Sequence, residues 1–220
     1  MKNKKVAVIL SGCGVFDGAE IFESTLALLR LDQQQADVTC FAPDIEQMHV
    51  IDHRNGDVMA EKRNVLTEAS RINRGNVFPL TEARADHFDA VIVPGGFGVA
   101  KNLSDFALNG SDCSSIPEFS ELLQSFHSQK KPIGMICIAP ALLPKILGSG
   151  VSCTIGHDAA TAGEIDYMGG LHIGCDADNI VIDHEHRVVS TPAYMEAQRI
   201  SEAGEGIFKL VDRVLAFTDT

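Results

Sequence analysis

The chain has 220 residues, 45% of them hydrophobic, which suits the core of one α/β domain. Its formal net charge of −12 argues against nucleic acid or an anionic membrane surface as partner. No apolar run reaches the ~18 residues of a membrane helix, and the six cysteines, scattered without a C-x-x-C pair, read as free thiols.

Residues 5–10 form a continuous apolar run, expected to be a parallel strand buried on both faces. The opening Met1-Lys-Asn-Lys-Lys5 superficially resembles the start of a signal peptide. The apolar run stops at Leu10, however, and Gly12, Gly14 and Asp17 follow with no cleavage pattern. The reading is therefore a first strand in a cytoplasmic protein. A glycine-rich loop, Ser11 to Gly18, leads into a helix expected over 19–34, with Ile21, Leu26, Leu28 and Leu29 on its inner side. The loop spacing is G-x-G-x-x-x-G, and no acidic residue closes a second strand where a dinucleotide site needs one. These are read as turn glycines.

Residues 37–42 form a second strand. The strand–helix rhythm then breaks until about residue 75. Asn55-Gly56 between His49-Val-Ile-Asp52 and Asp57-Val-Met59 predicts a hairpin with a type I′ turn, and Asn64 caps a helix over 64–72. Such insertions build interfaces or lids, and Val50, Ile51, Val58 and Met59 offer apolar surface for one. Residues 88–98 read as a strand ending in Pro94-Gly95-Gly96, where a close-approaching backbone exposes N–H groups. Helices are expected over 99–107 and 117–128, with a loop at 110–115.

Residues 131–136 form a short apolar strand and 139–146 a helix with Pro140 in its first turn. Cys137 thus sits at a sharp strand-to-helix corner, the geometry of a nucleophile elbow with Cys in place of Ser. A helix N-terminus aimed at the thiol is expected to lower its pKa. These residues fit equally well a small core hydrophobe after an apolar strand. A strand over 151–154 precedes His157, and a helix over 162–168 ends at Gly169-Gly170. Segments 179–183 and 187–190 frame His184-Glu-His186 as a hairpin tip, whose polarity is that of a turn and not of a metal site. A last helix over 194–217 puts Ile200, Ala203, Ile207, Leu210, Val211 and Val214 on one face. No repeat or linker divides the chain, so a single domain over 1–220, with an insertion at about 43–75, is expected.

Gly18-Ala-Glu20, Val93-Pro-Gly-Gly-Phe-Gly98 and Gly134-Met-Ile-Cys-Ile-Ala-Pro140 together resemble the PfpI/ThiJ group of the class I glutamine amidotransferase-like superfamily. The opening from Ser11 to Glu20, with Asp178-Asn-Ile-Val181 and Ser190-Thr-Pro-Ala-Tyr-Met195, resembles its ElbB-type branch of isoprenoid-biosynthesis glyoxalases. This resemblance covers essentially the whole chain. It implies a flavodoxin-like three-layer α/β/α sandwich with a mainly parallel sheet, the elbow role for Cys137, and a homodimer. It also implies Glu20 as the acid beside the thiol. By position alone Glu20 fits equally well a stabilising anion at a helix N-terminus.

Two features depart from the wider superfamily. Ile138 follows Cys137 where the protease-like branch has His, and Thr191-Pro-Ala193 stands where a glutaminase His-x-Glu is expected. His157 is the remaining histidine candidate, with a polar loop histidine as the alternative. The expected activity is a cofactor-free glyoxalase acting on small dicarbonyls such as glyoxal. In that scheme Cys137 adds to the aldehyde, N–H groups at Gly96 and Ile138 hold the oxyanion, and Glu20, with His157, moves the proton. No metal or other cofactor is called for. The rivals are a redox-responsive thiol or binding protein without enzymatic activity, and an amidotransferase-like subunit awaiting a partner.

Overall fold

In the computed structural model, which describes residues 3–219, apolar alternation along the strands decides the layering. The first half of the chain forms β1 (Lys5–Ile9), α1 (Ile21–Gln33), β2 (Asp37–Ala42), α2 (Val65–Ala69), β3 (Val77–Pro79) and β4 (Ala90–Val93). Then come α3 (Phe97–Lys101), α4 (Phe106–Asn109), α5 (Pro117–Ser128), β5 (Ile133–Ile136) and α6 (Leu143–Leu147). The remainder is β6 (Ser152–Cys153), α7 (Ala159–Tyr167), β7 (Leu171–His172), β8 (Val181–Asp183), β9 (Val188–Thr191) and α8 (Ile200–Phe217).

Seven strands make one sheet in the order β3-β2-β1-β4-β5-β9-β8, all pairs parallel except the antiparallel β8–β9 hairpin. Along β1 the side chains alternate between two cores. Val6, Val8 and Leu10 pack with the buried faces of α1 and α8, whereas Ala7 and Ile9 pack with that of α5. Helices on both faces make this the expected flavodoxin-like sandwich. The chain leaves β1 towards β2 and β3, then returns to the other side of β1 as β4. At that reversal the loops after β1 and β4 part, which opens a crevice at the carboxyl ends of the strands. None of the helices among the described residues is long and apolar enough to cross a membrane.

Several elements depart from the sequence reading. Helix α1 is rotated from its expected phase: its buried face carries Glu23, Ser24, Ala27 and Leu31, while Ile21 and Leu29 are 45% and 44% exposed. The helix expected over 99–107 is broken into α3 and α4. Between them Asn102 turns inward, its amide donating to the carbonyls of Ser11 and Asp17, both at 2.9 Å. After Cys137 comes a 3-10 turn, Ala139–Leu142, before α6. Helix α8 begins at Ile200, because Thr191 to Met195 is taken up by the end of β9 and another 3-10 turn.

The hairpin in the 43–75 segment exists, as an Ile51–Val58 bridge closed by Asp52 N–H on Asp57 O at 2.9 Å. Its turn is not type I′: Gly56 has φ +82°, but Asn55 is not in the left-handed region that type I′ also requires there. Val50 and Ile51 face inward, leaving Val58 and Met59 as the exposed pair of the four.

Candidate active site

Cys137 follows β5 with φ +61°, a left-handed conformation that costs a non-glycine residue ~1–3 kcal/mol and persists only where its surroundings hold it. Here the neighbouring strand does so: Cys137 N–H donates to Thr191 O, at the end of β9, at 2.9 Å. The Pro94-Gly95-Gly96 turn after β4 presses against the same corner. A Cβ on Gly95 would lie 2.3 Å from Cys137 Cβ and 2.8 Å from Glu23 Oε2, so only glycine fits. Gly96 takes φ +94°, and its N–H, with that of Ile138, is placed to favour a charge on the Cys137 sulfur. Two backbone N–H groups therefore lie at the same corner as the thiol.

The acid that meets the sulfur is Glu23, not Glu20. Glu20 is the N-cap of α1: its Oε2 accepts the Glu23 N–H at 2.6 Å, and its own N–H donates to Gly95 O at 2.9 Å. It lines the cavity above Cys137 but is committed to the helix end. One turn on, the Glu23 side chain enters the core with no exposure and lies beside the Cys137 thiol, the two meeting across Gly95. Its other contacts are N–H donors, from Gly95 to Oε2 at 3.0 Å and from Tyr194 to Oε1 at 3.2 Å. Burial pushes the carboxyl up to about 8, the nearby Glu20 charge adds to the rise, and the N–H donors and the thiol oppose it.

The thiol is also pushed well above its ordinary value, first by burial and then by the Glu23 charge, against the pull of the Gly96 and Ile138 N–H groups. The expected lowering by a helix N-terminus does not occur. A four-residue 3-10 turn aligns few peptide dipoles, and Cys137 is only 7% exposed. Thiol and carboxyl thus form one coupled proton-holding pair. A carboxyl poised near 8 can take the thiol proton as the sulfur attacks, and the two N–H donors can stabilise the charge that develops.

His157 is not brought to this pair. Its side chain is half exposed, with Nε2 3.3 Å from Asp176, and it does not line the cavity. In the β8–β9 turn, His186 Nδ1 lies 2.9 Å from Asp183 Oδ2, fixing the tip. No three His, Cys, Asp or Glu among the described residues converge in a way that could hold a metal ion. The cavity has a volume of about 590 Å³ and is walled by residues from the loops after β1, β4, β5 and β9. That is the switch-point crevice of the sheet.

The DJ-1/PfpI family pattern matches residues 4–169, and the chain belongs to that family, with a class I glutamine amidotransferase-like fold. The ES1 protein homolog, mitochondrial, of Rattus norvegicus is 43% identical over 97% of this chain and 84% of its own length. The human glutamine amidotransferase-like class 1 domain-containing protein 3, mitochondrial, is 44% identical over 97% of this chain and 83% of its own. Among solved structures, an isoprenoid biosynthesis protein with amidotransferase-like domain from Ehrlichia chaffeensis superposes with a TM-score of 0.91 at 38% identity. That superposition covers 97% of this chain and 99% of the other. The cytoplasmic expectation is overturned by the relatives' names, which are those of mitochondrial proteins.

Proposed function

We propose that the protein is a cofactor-free glyoxalase of the ElbB type, converting glyoxal-type dicarbonyls and water to 2-hydroxy acids. The observation that carries this reading is the buried Glu23 carboxyl set beside Cys137 across Gly95, at the corner where the Gly96 and Ile138 N–H groups also lie. The sulfur adds to the aldehyde carbon while Glu23 accepts the thiol proton, and the new oxyanion is held by the two N–H groups and then takes that proton from Glu23, which gives the hemithioacetal and frees the carboxylate. The carbon-bound proton next passes to Glu23, giving an enediol, and is returned to the adjacent carbon, leaving a thioester of the 2-hydroxy acid. Water then cleaves the thioester and restores the thiol. Atoms balance with one water consumed, and no external oxidant or reductant enters. Glu23 here takes the part expected of Glu20 and His157.

A redox-sensing thiol is less well served by these residues, since such thiols are exposed and of low pKa, and Cys137 is neither. The test is steady-state formation of 2-hydroxy acid from glyoxal and methylglyoxal by purified, metal-stripped protein. Turnover is expected for the wild type and absent in Cys137→Ala. A wild type that forms no 2-hydroxy acid, or a Cys137→Ala variant that still does, refutes the reading. We propose further that the chain forms a homodimer, with Val58 and Met59 as exposed apolar residues of the seam. A monomer mass by light scattering at micromolar concentration refutes that.

A further inference from the structure

We infer that this cavity selects an α-oxoaldehyde whose second carbon carries an apolar substituent about the size of a benzene ring, with glyoxal as an undersized substrate. The reaction named here rests on the glyoxalase reading; the apolar selectivity rests on the cavity alone. Its volume of about 590 Å³ lies within the range that holds drug-sized ligands, and glyoxal would leave most of it unfilled.

The walls say what fills the remainder. Phe97, Ala100, Phe106, Ile138 and Met195 supply apolar surface beyond Cys137. The charged groups at the rim are already engaged within the protein. Glu20 accepts the Glu23 N–H at 2.6 Å, Asp158 accepts the Thr161 N–H at 2.8 Å as the N-cap of α7, and Lys101 donates to Phe16 O at 2.8 Å. With its ammonium drawn to that carbonyl and set 5.3 Å from the Phe97 ring centroid, Lys101 offers the cavity its stem more than its charge. A polar substituent would find only the Tyr194 hydroxyl and the remaining capacity of these engaged groups on walls that are otherwise apolar. An apolar one displaces only water from apolar walls, which is favourable in proportion to the area covered.

The experiment has an arm that needs no turnover. The rate constant for alkylation of Cys137, read by mass mapping, is measured with iodoacetamide and with N-benzyl-iodoacetamide. Each is divided by the rate of the same reagent with glutathione, which removes intrinsic reactivity. The benzyl reagent should gain about tenfold or more from the protein. Ala107→Trp, on the exposed side of α4 at the cavity mouth where an indole displaces no buried side chain, should remove most of that gain. Equal normalised rates for the two reagents, or a benzyl advantage untouched by Ala107→Trp, overturns the inference. The second arm compares kcat/KM for phenylglyoxal and glyoxal. The ratio should favour phenylglyoxal by about tenfold or more and fall towards unity in Ala107→Trp; a ratio favouring glyoxal in the wild type overturns the inference. A benzyl advantage in alkylation with no turnover of any dicarbonyl would instead overturn the glyoxalase reading and leave the cavity's apolar selectivity standing.

Discussion

Replacing Glu23 by Gln separates what the carboxyl does for stability from what it does for chemistry. The folded protein holds this proton up to about 8, against an ordinary value of 4.5, so the folded state binds more protons than the unfolded chain between those limits. Stability attributable to Glu23 is therefore full below about pH 4.5, declines as pH rises, and is lost once pH passes about 8. At ~1.4 kcal/mol per pKa unit, the decline amounts to about 3 kcal/mol by neutral pH and about 5 kcal/mol above pH 8. Gln binds no proton in either state and abolishes this slope. It also turns an amide N–H₂ towards one of the two backbone donors, from Gly95 or Tyr194, at a cost of ~1–3 kcal/mol at every pH. Urea unfolding should then find the variant less stable than wild type at about pH 5 and more stable at about pH 9, with the curves crossing between. Two stability curves that run parallel over that range would refute the assignment of a raised carboxyl pKa to Glu23. The same variant should lose ~10²–10⁴-fold in kcat with glyoxal, because Gln cannot accept the thiol proton. Wild-type kcat/KM should rise with pH and level off above about 8, a limb missing from the variant.

Gly95→Ala should abolish turnover and lower the melting temperature, since the new Cβ would lie 2.3 Å from Cys137 Cβ with backbone behind it; an active, wild-type-like variant would show the elbow to be far looser than this contact. Glu20→Ala should cost ~0.5–2 kcal/mol through the lost N-cap, read by urea unfolding, with far less loss of kcat than Glu23→Gln. A Glu20 variant inactive at near wild-type stability would return Glu20 to the proton-transfer role. His157→Ala should keep kcat within about twofold, since its ring faces Asp176 outside the cavity; a hundredfold loss would place His157 in the reaction after all.

What the sequence determined by itself is the frame of the site. The short runs at residues 5–10, 37–42 and 131–136 read as strands, and β1, β2 and β5 lie within them. That Gly96 and Ile138 lie near each other follows from a glycine turn at the end of β4 and a corner at the end of its neighbour β5, which place their N–H groups at the same edge of the sheet. The 64–72 helix began at its expected cap because the Asn64 side chain bonds the Thr67 N–H within a few residues, a contact that needs no tertiary partner.

Tertiary structure decided which acid reaches the sulfur. Glu20 and Glu23 lie on the same end of one helix, and local propensity treats them alike. A signal for Glu23 existed in its spacing of four and eight residues from Ala27 and Leu31, a buried stripe with an acid at its head. The leucines and isoleucine of α1 pointed to another stripe, and the packing of α1 against α8 overrode them: Ala27 and Leu31 share one core with Ala203 and Ile207 of α8, while Ile21 and Leu29 stay exposed. The thiol's raised pKa was hidden for a related reason. A helix N-terminus can be read from a few consecutive residues, but desolvation depends on how many atoms from β4, α1 and β9 surround the sulfur, which is settled only when those elements meet.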